Sequence, residues 1–126
     1  MHRFMRRLGL ALLVVLSLAA CGGDDDDGRG ERRAASGACP SGAVVISMVD
    51  IKFDPEDATA GVGEEICWVN EDEIDHNAVA ESGADFESEL FGKGKTYTTT
   101  VDSPGTVEYV CTIHPGMTGT ITVERR

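Results

Sequence analysis

The sequence predicts an all-β domain of about seven to eight strands, arranged as a sandwich or barrel. Three observations predict it. From residue 44 onward no apolar periodicity of helical length appears. The residues there are strand formers, Val, Ile, Thr, Tyr and Phe, set between Gly, Pro, Asp and Asn. Turn signals recur at spacings of about ten residues. The first strand is expected over residues 44–51, before a turn at Asp54-Pro55. A short strand over 58–60 leads into the glycine turn 61–63. Residues 64–70 form a strand around Trp68 and end in the polar turn 70–75. A strand over 76–80 begins at His76. Residues 81–91 show no strand pattern; Phe86, Leu90 and Phe91 are expected to cover one end of the sandwich from a loop or a single helical turn. The turn 92–94 precedes a strand over 95–101, the turn 102–105 one over 106–111, and the last strand covers 118–124. Val107, Tyr109 and Cys111 alternate with Thr106, Glu108 and Val110, which points the thiol of Cys111 inward at a strand end.

The chain has 126 residues, enough for one domain with its own core, and that domain is expected over residues 39–126. Residues 1–20 are expected to be an export signal. Arg3, Arg6 and Arg7 form a basic start, and the apolar run over residues 8–20 is shorter than the roughly 20 residues a membrane-spanning helix needs. Arg6-Arg7 without a fuller motif is a weak twin-arginine signal. The run ends in Leu18-Ala19-Ala20-Cys21, which resembles a bacterial lipobox; the resemblance implies lipid attachment at Cys21, the first residue of the mature protein. A plain signal followed by a free cysteine is the alternative. Residues 21–38 then make an acidic, glycine-rich tether, expected to be disordered because it holds no large apolar residue to offset its ordering entropy. Asp24, Asp25, Asp26 and Asp27 lack the alternating ligands of a calcium loop and read as a solvated spacer.

Eleven Lys and Arg stand against 22 Asp and Glu, a formal net charge of −11. Loss of the three signal arginines takes it to about −14. Binding to nucleic acid needs a basic surface, which this chain lacks; a basic partner suits it better.

Four cysteines occur, Cys21, Cys39, Cys67 and Cys111. If Cys21 carries lipid and Cys111 is used otherwise, Cys39 and Cys67 remain as a pair, and an oxidising compartment favours their disulfide. Cys39 with Cys111, or free thiols, are the alternatives. In the stretch VCTIHPGMTG, Cys111, His114 and Met117 lie three residues apart. They leave a metal site open, and His76, also at a sheet end, is the one other histidine outside the signal. Hard cations prefer oxygen donors and structural zinc prefers several thiolates; one thiolate, two imidazoles and a weak thioether suit copper in both its oxidation states. Taken singly, His114-Pro115-Gly116 reads as a turn, Met117 as a core filler and His76 as a surface histidine. The combination is what points to one copper ion per chain.

At these residues the sequence resembles a cupredoxin, the small blue-copper family that includes plastocyanin and amicyanin. The resemblance runs from about Val44 to the end and rests on Phe53-Asp54-Pro55, on Gly63 with Ile66, Trp68 and Asn70, on His76-Asn77, and on residues 111–117. It implies a Greek-key fold, with His76, Cys111 and His114 as equatorial ligands and Met117 as the weak axial one. The short Cys-x-x-His-x-x-Met loop is like that of amicyanin. Asn77 would join the two ligand loops through Thr112, and its backbone N–H would reach the thiolate. The edge of His114, framed by Ile113, Pro115 and Met117, would be the electron's exit.

These residues imply a lipid-anchored electron carrier outside the cytoplasmic membrane, monomeric, working with redox protein partners and not an enzyme. With both histidines assigned, no ligands remain for a second metal, and no open coordination position for substrate. Glu71, Asp72, Glu73 and Asp75 before His76 read either as a solvated turn or, with Ile113 and Pro115, as a docking patch for a basic partner. Copper capture or delivery is the alternative function; it usually calls for exposed Met or His clusters, and only Met48 and Met117 follow the signal.

Overall fold

The computed structural model describes residues 35–36 and 38–126. The expected signal peptide, the expected lipid site at Cys21 and most of the expected tether lie outside the described residues. Those residues form two sheets packed face to face, with no helix among them. The strands are β1 (Ala35–Ser36), β2 (Val44–Val49), β3 (Lys52–Asp54), β4 (Asp57–Gly61), β5 (Glu65–Asn70), β6 (Val79–Ser82), β7 (Lys95–Thr100), β8 (Gly105–Val110) and β9 (Thr118–Glu124). One sheet has the order β1-β7-β5-β2-β3, the other β4-β9-β8-β6. Parallel pairing of β2 with β5 and of β4 with β9 means that the chain crosses between the sheets instead of running as a simple meander.

Alternation builds the core. Ile46 and Met48 from β2, Ile66 and Trp68 from β5, Tyr97 from β7, Val107 and Tyr109 from β8, and Ile121 and Val123 from β9 are all buried. Trp68 lies at the centre, its ring centroid 5.1 Å from Phe86, 5.4 Å from Tyr109 and 5.7 Å from Tyr97. Gly119 is required where β9 crosses Tyr109, since a Cβ there would sit 2.3 Å from the phenol ring. Cys67 faces away from Trp68 yet is fully buried, bonded to Cys39 across a separation of 28 residues. The disulfide pins the start of the domain onto the central strand of its sheet.

Several boundaries differ from the sequence expectation. The strand expected over 44–51 stops at Val49, because Asp50 and Ile51 turn with φ of 54° and 57° and send the chain back as β3. The strand expected from His76 begins at Val79 in the β8 ladder; His76 instead forms an isolated bridge with Phe91. Residues 81–91 are therefore not one loop. β6 runs on to Ser82, and Glu87 and Phe91 pair back with Val79 and His76. Phe86 and Phe91 close the core as expected, whereas Leu90 points to solvent with 46% of its surface exposed. Ala35 and Ser36, placed in the tether by sequence, pair with Thr96 and Lys95 of β7.

Candidate metal centre

Two loops meet at one end of the sandwich, and each is built by its own hydrogen bonds. In the first, Asn70 is fully buried at the end of β5. Its Nδ2 donates to the carbonyls of Ile74 at 2.8 Å and Phe91 at 2.9 Å, and its Oδ1 accepts the N–H of Asp72 at 2.8 Å. The chain from 70 to 76 thus wraps a buried amide, and the paired N–H and C=O groups of His76 and Phe91 fix where that wrap ends. The second loop joins β8 to β9. Cys111 N–H donates to Met117 O at 3.0 Å, Met117 N–H to His114 O at 3.0 Å, and Gly116 supplies the left-handed φ of 88° that closes the turn.

The loops are joined to each other by two bonds between one pair of side chains and backbone. Asn77 Nδ2 donates to Thr112 Oγ1 and Thr112 N–H donates to Asn77 Oδ1, both at 2.8 Å. This is the link that the resemblance implies. Asn77 with Thr112 thus ties the loop that carries His76 to the loop that carries Cys111.

Three donor atoms converge between the loops. His76 Nδ1 and His114 Nδ1 are 3.1 Å apart, Cys111 Sγ lies 3.4 Å from His114 Nδ1, and 3.8 Å separates it from His76 Nδ1. A point equidistant from the three lies about 2 Å from each, close to the ~2.0–2.1 Å of a metal–imidazole bond and somewhat under the ~2.3 Å of a metal–thiolate bond. The donor set therefore fits a single soft metal ion. No carboxylate oxygen belongs to the cluster, which disfavours hard cations. Met117 is buried, and with Cys111 and His114 it lines a cavity of about 380 Å³ at this end. His76 and Cys111 are buried and His114 is half-buried.

The second nitrogen of His76 is also engaged: Nε2 lies 2.7 Å from Asp72 Oδ2. That carboxylate accepts the N–H of Asp50 at 2.8 Å and of Ile51 at 3.0 Å as well. Partial burial pushes the Asp72 carboxyl up, but the Ile51 N–H, the His76 ring and the Asp50 N–H together hold it below the usual carboxylate value. Asp72, grouped by sequence with an external acidic patch, is turned inward here. Glu71, Glu73 and Asp75 are exposed, with Glu73 paired to Lys93. Ile113 and Pro115 are exposed on either side of His114. Sequence reasoning missed the inward roles of Asp72 and Asn70. The one cue was the four-residue step from Asp72 to His76, which also fits an ordinary acidic turn.

A family model described as copper binding proteins of the plastocyanin/azurin family matches residues 41–124. Among curated proteins, amicyanin-alpha of Methylorubrum extorquens is 30% identical over 118 residues, covering 90% of this chain and 98% of that protein. An amicyanin of Paracoccus versutus is 29% identical over 119 residues, 91% of this chain and 90% of its own. Among solved structures, an oxidised amicyanin variant matches with a TM-score of 0.68 at 28% identity, covering 75% of this chain and 94% of that one.

Proposed function

Because the chain belongs to the plastocyanin/azurin family of copper-binding proteins, we propose that it is a mononuclear blue-copper electron carrier. His76, Cys111 and His114 would hold the ion, and the buried Met117 beside them would supply a weak fourth donor. The observation that carries this reading is the convergence of His76 Nδ1, Cys111 Sγ and His114 Nδ1 from two loops within 4.8 Å of one another. Copper bound there supplies a one-electron couple between Cu(II) and Cu(I).

The protein's own part is to hold the donors still and to keep water from them. His76 is braced by its backbone bridge to Phe91, Cys111 and Met117 by their mutual backbone bond, and both loops by the Asn77–Thr112 pair. Donors held this way need little rearrangement when charge changes, which keeps the barrier to electron exchange low. The half-buried imidazole of His114, between exposed Ile113 and Pro115, is the contact through which a partner exchanges the electron. Burial of His76, Cys111 and Met117, together with the complete burial of Met48 in the core, favours a carrier over a delivery protein, which needs exposed donors to release its metal.

The carrier works outside the cytoplasmic membrane, held by lipid on Cys21 through the acidic tether. On this reading the protein passes electrons between partners and transforms no substrate of its own. The exposed Glu71, Glu73 and Asp75 favour a redox partner with a basic docking surface. Voltammetry of the copper-loaded protein tests the reading. A reversible one-electron wave from one copper per chain is expected; rapid loss of copper to a weak chelator with no reversible wave would point to delivery.

A further inference from the structure

We propose that Asp72 is a positioning residue for the metal ligand His76: its carboxylate keeps the proton on Nε2, leaves Nδ1 free to bind metal, and sets a negative charge behind the oxidised ion. The proposal rests on the copper reading above and deepens it.

The geometry makes this carboxylate hard to displace. Oδ2 meets His76 Nε2 at 2.7 Å, while His76 itself is 0% exposed and the Asp72 side chain 15%. The same group accepts both N–H groups of the turn between β2 and β3, from Asp50 and Ile51. Both turn residues are left-handed, an unfavourable conformation for a β-branched Ile. Swinging the carboxylate away would leave these two donors without their acceptor. From the other side, the Asp72 N–H is fixed to Asn70 Oδ1. One carboxylate thus serves as acceptor for a surface turn and for a buried ligand ring.

The consequence for the ligand follows from imidazole chemistry. A neutral ring carries one N–H, and the nitrogen opposite a strong acceptor keeps it. If the proton moved to Nδ1, an N–H would face His114 Nδ1 and Cys111 Sγ, and His76 could not bind metal through that atom. A full negative charge across the ring also stabilises Cu(II) over Cu(I), since the intervening imidazole is buried and screening is weak.

The test uses the full chain and has two arms. In metal-free, nitrogen-15-labelled protein, imidazole nitrogen shifts report the His76 tautomer. The proton is expected on Nε2 in the wild type and spread over both nitrogens in Asp72→Ala. A wild-type proton on Nδ1, or a tautomer unchanged in Asp72→Ala, would overturn the proposal whether or not copper binds. In copper-loaded protein, Asp72→Asn keeps an acceptor oxygen but loses the charge, and it remains available if the alanine variant fails to fold. Its equilibrium constant for reduction against a mediator should rise roughly tenfold or more; a change under about twofold would overturn the charge effect. Failure of the wild type to take up copper would instead refute the copper reading, leaving the tautomer arm to decide the role of Asp72.

Discussion

Tyr109 stands two residues before Cys111 on the inward face of β8, fully buried against Trp68 and Phe53. Burial pushes its phenol well above the ordinary value of 10, the Trp68 indole only partly opposing this. The folded state therefore holds the proton more tightly than the unfolded state. The stability this contributes is intact below about pH 10 and is lost as pH rises past it, by at most about 1.4 kcal/mol per pH unit. Urea unfolding at pH 8 and pH 11 checks this: the wild type should lose more stability between the two than Tyr109→Phe, and equal losses would refute it. At this scale the sequence was legible where the signal is local. Parity along residues 107–111 turns Cys111 inward, and a count of histidines leaves only His76 to complete the site. Asp72 was not legible, because its partners Asp50 and Ile51 lie 22 and 21 residues away and nothing local separates an inward carboxylate from an outward one.

Among the elements, the sequence misled wherever pairing overrides local pattern. β3 went unseen because Asp50-Ile51 lacks the Asn-Gly or Asp-Gly pattern of a tight hairpin, and the Asp72 carboxylate that accepts its N–H groups is remote in sequence. His76 looked like the start of a strand because it follows a turn, yet its bridge to Phe91 holds it out of the β8 ladder and directs its ring to the other loop. β5, β7, β8 and β9 were readable because alternation and flanking turns agree there. Pairing of Cys39 with Cys67 was the natural choice among the alternatives, and the bond is present on β5. Its loop constrains the unfolded chain by about 3–4 kcal/mol. Replacing both residues, Cys39→Ala with Cys67→Ala, should lower the melting temperature by roughly 10 °C or more in calorimetry. A shift within a degree or two would mean that the bridge adds nothing to the fold.

For the whole molecule, charge and architecture act at the same end. The chain is strongly acidic, with a net charge of −11, and Glu71, Glu73 and Asp75 are exposed in the loop that carries His76. Electron exchange with a basic redox protein should slow as salt is raised from about 0.01 M to 0.15 M, because the Debye length shrinks from about 30 Å to 8 Å. A rate flat across that range would remove the acidic loop from docking. Two sheets place the loops after β5 and β8 side by side, so Cys111 Sγ and His76 Nδ1, 35 residues apart in sequence, come within 3.8 Å of each other. The visible spectrum of the Cu(II)-loaded protein reads that convergence out. An intense thiolate-to-copper band is expected, abolished in Cys111→Ser; a colourless protein, or a band that survives that substitution, would refute a copper site built on Cys111.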